Sequence, residues 1–174
     1  MTQMCHAAIA RATRFARVRF LNLSILIGVL ASVIAATSAA ATTTPTPTKA
    51  SWATAANASC HVANAEVRRL PRITTAQVLL ADVRATGHIS VKLTEKLAAI
   101  PRPSSERVMI ASLLTNYRTA TRLILEQLVP ALERGDQALA SRLVDKLDKL
   151  DPQANRLALA LGARVCAQNP EPSG

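Results

Sequence analysis

Few residues of this 174-residue chain are of types that carry out chemistry, and their spacing narrows what they could do. The histidines are His6, His61 and His88, and the cysteines are Cys5, Cys60 and Cys166. A helical metal site needs ligands three or four residues apart, as in His-x3-His or Glu-x2-His. His61 has Cys60 beside it, which faces another way around a helix, and Glu66 five residues on. His88 has Lys92 at i+4, and the Cys-x2-Cys-His of haem attachment is missing. Neither metal nor cofactor is expected. Nucleophilic catalysis fares no better, for the sequence holds neither a Gly-x-Ser-x-Gly elbow nor Ser-x2-Lys. Asp145 and Asp148 lie one helical turn apart, but Lys146 and Lys149 interleave with them, as on a solvated face with an i,i+4 ion pair. The five glycines, at 28, 87, 135, 162 and 174, are isolated and cannot form a phosphate-cradling loop. A non-enzyme is expected.

Charge points to a compartment more than to a partner. Lys and Arg number 21 against 11 Asp and Glu, a net +10. Residues 1–19 carry Arg11, Arg14, Arg17 and Arg19 and no acid, and Phe20 to Ala36 is an uncharged apolar run followed by small residues at 37–41. That order describes a secretory signal, with processing points after Ala40 or Ala41. It equally describes an uncleaved anchor, since about 20 apolar or small residues suffice to span a bilayer. The arginines ahead of the run would keep the N-terminus cytoplasmic and place residues 42–174 outside on either reading. Cys5 precedes the apolar run, where a lipoprotein would carry its cysteine directly behind it.

Four basic residues and no acids belong to residues 1–41, so the remainder carries +6. Its arginines are scattered among acids, and with only Trp52 and Tyr117 as stacking aromatics, nucleic acid is not the expected partner. A mild attraction to anionic envelope polymers or lipid headgroups suits the charge better. Arg68, Arg69 and Arg72 are the densest patch and the candidate anionic-surface contact; a solvated helix end is the plainer account of them. The two cysteines left, Cys60 and Cys166, are an even pair in an oxidising compartment, the pattern of one structural disulfide.

The elements that must position these residues are helices. Aromatics make up 2% of the chain, and Ala and Leu carry most of its apolar content, which disfavours strands. Residues 42–51 form a Thr/Pro spacer. A first helix is expected over 52–70, with Trp52, Ala56, Ala63, Val67 and Leu70 on one side and Pro71 ending it. A second follows a Thr74-Thr75 cap to about Ala99, with Leu79, Val83, Thr86, Ser90, Leu93, Leu97 and Ile100 in its stripe. Gly87-His88 is where it would break. Pro101 and Pro103 separate it from a third helix, capped by Ser104 or Ser105 and running from about 105 to Arg134. Its stripe is Ile110, Leu114, Tyr117, Thr121, Ile124, Leu128 and Ala131, with a kink at Pro130 and Gly135 as its stop. Asp136 caps a fourth that carries Leu139, Leu143, Leu147, Leu150, Ala154, Leu157 and Leu161. This one is expected to bend at Pro152, with Asp151 capping the lower half, and to close at Gly162.

Helices of this length joined by short turns predict an all-α, up-down-up-down antiparallel bundle over 52–166, with 167–174 a frayed tail. In that topology the end of helix four lies beside the start of helix one, so Cys60 and Cys166 can meet.

Cys60-His-Val-Ala-Asn64 and Asn155-Arg-Leu-Ala, followed by Gly162-Ala-Arg-Val-Cys166, resemble a group of small exported helical proteins of high-GC bacteria. These pair a Cys-x3-Asn start with a Gly-x3-Cys finish around a proline-marked helical hairpin. The resemblance covers about 55–166 and implies a helical fold and an exported location; it brings no activity with it.

Asn64 and Asn155 are the candidate buried polar residues near the junction of helices one and four, where a buried Asn can set register. Thr86, Ser90 and Thr121 are candidates to line a polar pocket, unless they bond back to their own helices. The expected function is that of a non-enzymatic, extracytoplasmic interaction or structural module of the cell envelope. Its partner would be an unidentified protein or envelope component, with the membrane engaged through 20–41 if these are uncleaved. The alternative is a small-ligand binder or sensor with an apolar cavity between helices.

Overall fold

The computed structural model describes residues 46–167, and the segment 1–41 read as signal or anchor, residues 42–45 of the Thr/Pro spacer and the tail at 168–174 lie outside that range. The described chain is all helical, and it is compatible with a helical bundle. Helix α1 is Lys49–Arg68, α2 is Ala76–Ala99, α3 is Arg107–Arg122, α4 is Val129–Glu133, α5 is Gln137–Ala160 and α6 is Arg164–Ala167. A π-helical segment, Leu123–Leu128, joins α3 to α4.

Helix α1 starts inside the expected spacer. The Thr48 side chain accepts from the Ser51 N–H while Ser51 reaches back to the Thr48 N–H, a reciprocal cap that satisfies two otherwise orphaned donors. Thr75 caps α2 by accepting from Val78 N–H, and Asp136 caps α5 through Leu139 N–H at 2.9 Å. Gly135 and Gly162 adopt φ of 68° and 80°. Each ends its helix with paired reverse bonds: Gly135 N–H to Leu132 O and Asp136 N–H to Ala131 O, then Gly162 N–H to Leu159 O and Ala163 N–H to Ala158 O.

Four local expectations are corrected. Helix α2 runs unbroken through Gly87, because that glycine is packed against a neighbouring helix. Neither Ser104 nor Ser105 caps α3; Glu106 occupies that position without a side-chain bond to the backbone, and Ser105 donates to its carboxylate instead. The interruption tied to Pro130 takes the form of six π-helical residues ahead of it, with Val129 N–H bonded to Ile124 O. Helix α5 continues through Pro152, so Asp151 is an interior helical residue and no cap.

Two apolar clusters make up the core. The first gathers Trp52, Ala56, Cys60, Ala63 and Val67 of α1 with the second half of α2, the first part of α3, the end of α5 and the turn beyond it. The second gathers Val83, Ala120, Ile124, Leu128, Ala131, Leu143 and Leu147, and α1 supplies nothing to it. Helices α2 and α5 pack on the α3–π–α4 rod more than on each other. With α1 confined to one half, a gap lies between them in the other.

Candidate functional site

At the α1 end of the molecule, Cys60 and Cys166 are joined in a disulfide with Cα atoms 5.1 Å apart. Asn57, one turn before Cys60, holds the same segment from its other side. Its Nδ2 donates to Gly162 O at 3.2 Å and its Oδ1 accepts from Val165 N–H at 2.8 Å. Asn64 is buried, as expected of it, and donates to Val165 O at 3.4 Å. Asn155 is half-buried, and its side chain makes no hydrogen bond among the described residues. Asn57 was missed at the sequence level, because nothing marks one polar residue in an Ala-rich helix as the one facing a chain end more than a hundred residues away.

Arg68, Arg69 and Arg72 are exposed. Arg68 and Arg69 close α1 at its negative dipole end, which favours cations there without any ligand. His61 and His88 are both exposed, and among the described residues no three His, Cys, Asp or Glu converge on a point.

Helix α2 carries a row of buried polar residues, Asp82, Thr86, Ser90 and Thr94, one turn apart. Thr94 Oγ1 donates back to Ser90 O at 2.8 Å. Ser90 Oγ, Thr121 Oγ1 and Trp52 Nε1 are buried without a hydrogen-bond partner. On the facing helices, the Tyr117 phenol is pushed well above its ordinary range, first by burial and then by the negative charge of Asp151. Burial thus keeps it a neutral core hydroxyl.

Two grooves remain. The first occupies the gap between α2 and α5, with a volume of about 290 Å³ and walls of Leu79, Val83, Leu128, Leu132, Ala140 and Val144. The only polar residues lining it are Gln137 and Ser141, both exposed. The second lies between α2 and α3, with a volume of about 490 Å³, and is lined by Val91, Thr94, Glu95, Arg118, Thr121 and Arg122. Of the three residues read as pocket-lining candidates, Thr121 lines this groove, whereas Thr86 and Ser90 are buried and line neither.

No protein-family model, curated protein or solved structure matches the chain. No helix among the described residues is long and apolar enough to cross a membrane.

Proposed function

We propose that this chain is a non-enzymatic, exported helical-bundle protein that works by binding at the cell envelope. The apolar groove between α2 and α5 carries the reading. Open apolar surface of this kind is what a soluble helical protein ordinarily buries, and it marks a contact site when left uncovered. The basic, apolar and small-residue order of 1–41 supports export, and the Cys60–Cys166 bond suits an oxidising compartment.

An up-down-up-down path is the topology we favour. It is supported by Ser59, Ala63 and Glu66 of α1 sharing one groove with Ile89, Lys92 and Lys96 of α2. Gly87 against Ile124 and Leu125 fits the next antiparallel pair, and the disulfide fits the return of the last helix to the first.

A second reading, a small apolar ligand such as an acyl chain, is favoured by the same lining, since ligand sites are mostly apolar with a few polar groups at hand. A photo-crosslinking residue at Ser141, with Lys146 on the outer face of α5 as the control position, separates the two in intact envelopes. A protein adduct specific to position 141 is expected for the interaction module, and a lipid adduct for the ligand binder. Equal labelling at both positions counts against the groove altogether. Mass spectrometry of the same sample reads whether the chain begins after Ala40 or Ala41 or retains the apolar run.

A further inference from the structure

We propose that the second groove, between α2 and α3, binds the phosphate of a phosphate ester, clamped by Arg118 and Arg122 over the Thr121 hydroxyl. The site is distinct from the apolar groove and from the arginines at the end of α1.

Three observations converge on it. Arg118 and Arg122 are exposed and one helical turn apart, and neither side chain makes an ion pair or hydrogen bond among the described residues. Like charges at i,i+4 repel, so the helix bears a cost that a bound anion removes. The residue placed to neutralise Arg122 from i+4 is Glu126, but it lies in the π-helical segment, where the wider turn breaks the α-helical register, and no ion pair forms.

Thr121 is the second observation. Its hydroxyl is buried and has no partner, and the residue lines this groove. A buried hydroxyl without a hydrogen bond is uncommon and calls for an acceptor or a water. The third is Glu95, which lines the opposite wall yet pairs with neither arginine. A guest lying between them, with oxygens toward the arginines and a hydroxyl or ammonium toward Glu95, satisfies both walls.

A phosphate ester suits the pair better than a carboxylate does, because its oxygens are arranged tetrahedrally, with up to three unbridged, and can meet two guanidinium groups and a hydroxyl from different directions, whereas a carboxylate offers two oxygens in one plane. The groove volume is within the range of small-molecule sites, roughly 300–1,000 Å³. Val91 also lines it, which leaves an apolar stretch of wall for the ester carbon chain.

Titration calorimetry of the full-length, disulfide-bonded chain at low salt tests this with two soluble probes. Phosphoethanolamine is a monoester, as in free metabolites, and glycerophosphoethanolamine is a diester, as in a lipid headgroup. Saturable one-to-one binding of at least one probe is expected, and the stronger probe identifies the source of the phosphate. Binding should fall about tenfold or more in R118Q/R122Q, since hydrogen bonds between charged groups contribute at least that much. T121V should weaken it a few-fold, and R118K/R122K should restore only part of it, because lysine keeps the charge and loses the fork. K146Q/K149Q removes the same charge from the exposed face of α5 and should leave binding intact. Thermal unfolding followed by Trp52 fluorescence confirms that each variant is folded. Failure of both probes to bind overturns the proposal, as does unchanged binding in R118Q/R122Q or equal loss in K146Q/K149Q.

Discussion

Asn57 and Tyr117 show how much of this molecule turns on single polar groups in an apolar setting. Asn57 uses both ends of its amide to hold the turn after α5, so Gly162 O and Val165 N–H find partners within the chain. Tyr117 is the chain's one tyrosine, and it is 4% exposed with Asp151 near enough to oppose its ionisation. Burial and that carboxylate both stabilise the protonated phenol in the folded state. The unfolded chain gives up the same proton near the ordinary phenol value of about 10. Stability from this group is therefore complete below that pH and declines as pH rises above it, because the folded state then holds more protons than the unfolded. We expect no phenolate absorbance from the folded protein through the ordinary range, with the signal appearing only as circular dichroism reports unfolding. A phenolate transition near the ordinary value in folded protein would contradict the buried position of Tyr117.

Between elements, Gly87 is a packing device. A Cβ at this position would lie 2.4 Å from Leu125 Cδ2 and 2.8 Å from its Cγ, with Ile124 Cγ2 at 3.1 Å. The absence of a side chain therefore lets the π segment approach α2. Gly87→Ala gains helix propensity of about 1 kcal/mol but overpacks the contact at a cost of roughly 1–3 kcal/mol. We expect a net loss of stability in denaturant unfolding. In a Leu125→Ala background most of the clash is gone, and the same substitution should become neutral or stabilising. If Gly87→Ala stabilises the otherwise native chain, the close approach is not what fixes this glycine. The same π segment precedes Pro130, whose missing N–H removes one α-helical hydrogen bond and invites the change of register. Pro152 has no such effect on α5, which continues to Ala160.

For the whole molecule, the disulfide closes a span of 106 residues and ties the last turn to α1. Replacing both cysteines, as Cys60→Ser with Cys166→Ser, should lower unfolding free energy by about 2–5 kcal/mol. Trp52, the chain's one tryptophan, is 1% exposed in the cluster beside the bond, so its fluorescence reports the transition. An unchanged denaturant midpoint would mean that the two asparagines and the apolar contacts hold the end without the bond. The helical fold was legible from the three-four spacing of Leu, Val and Ala, the caps at Thr75 and Asp136 and the stops at Gly135 and Gly162. Each of these is a local signal within a turn or two of chain. The Cys60–Cys166 pairing was legible because only one even pairing remained and helix order brings those ends together. The grooves were not legible. The arginines of the α2–α3 groove looked scattered along the chain, since sequence spacing shows neither the π segment that separates Arg122 from Glu126 nor the helix bringing Glu95 across from them. The apolar groove depends on α1 ending at Arg68 while α2 and α5 extend into the second cluster. Its walls read in sequence as ordinary core stripe, because a residue's periodicity shows which face of its helix is apolar and not whether another helix arrives to cover it. Helix identity and ends were determined by nearest-neighbour chemistry along the chain; which apolar faces stay open and which charges stay unpaired was decided only by packing between residues far apart in sequence.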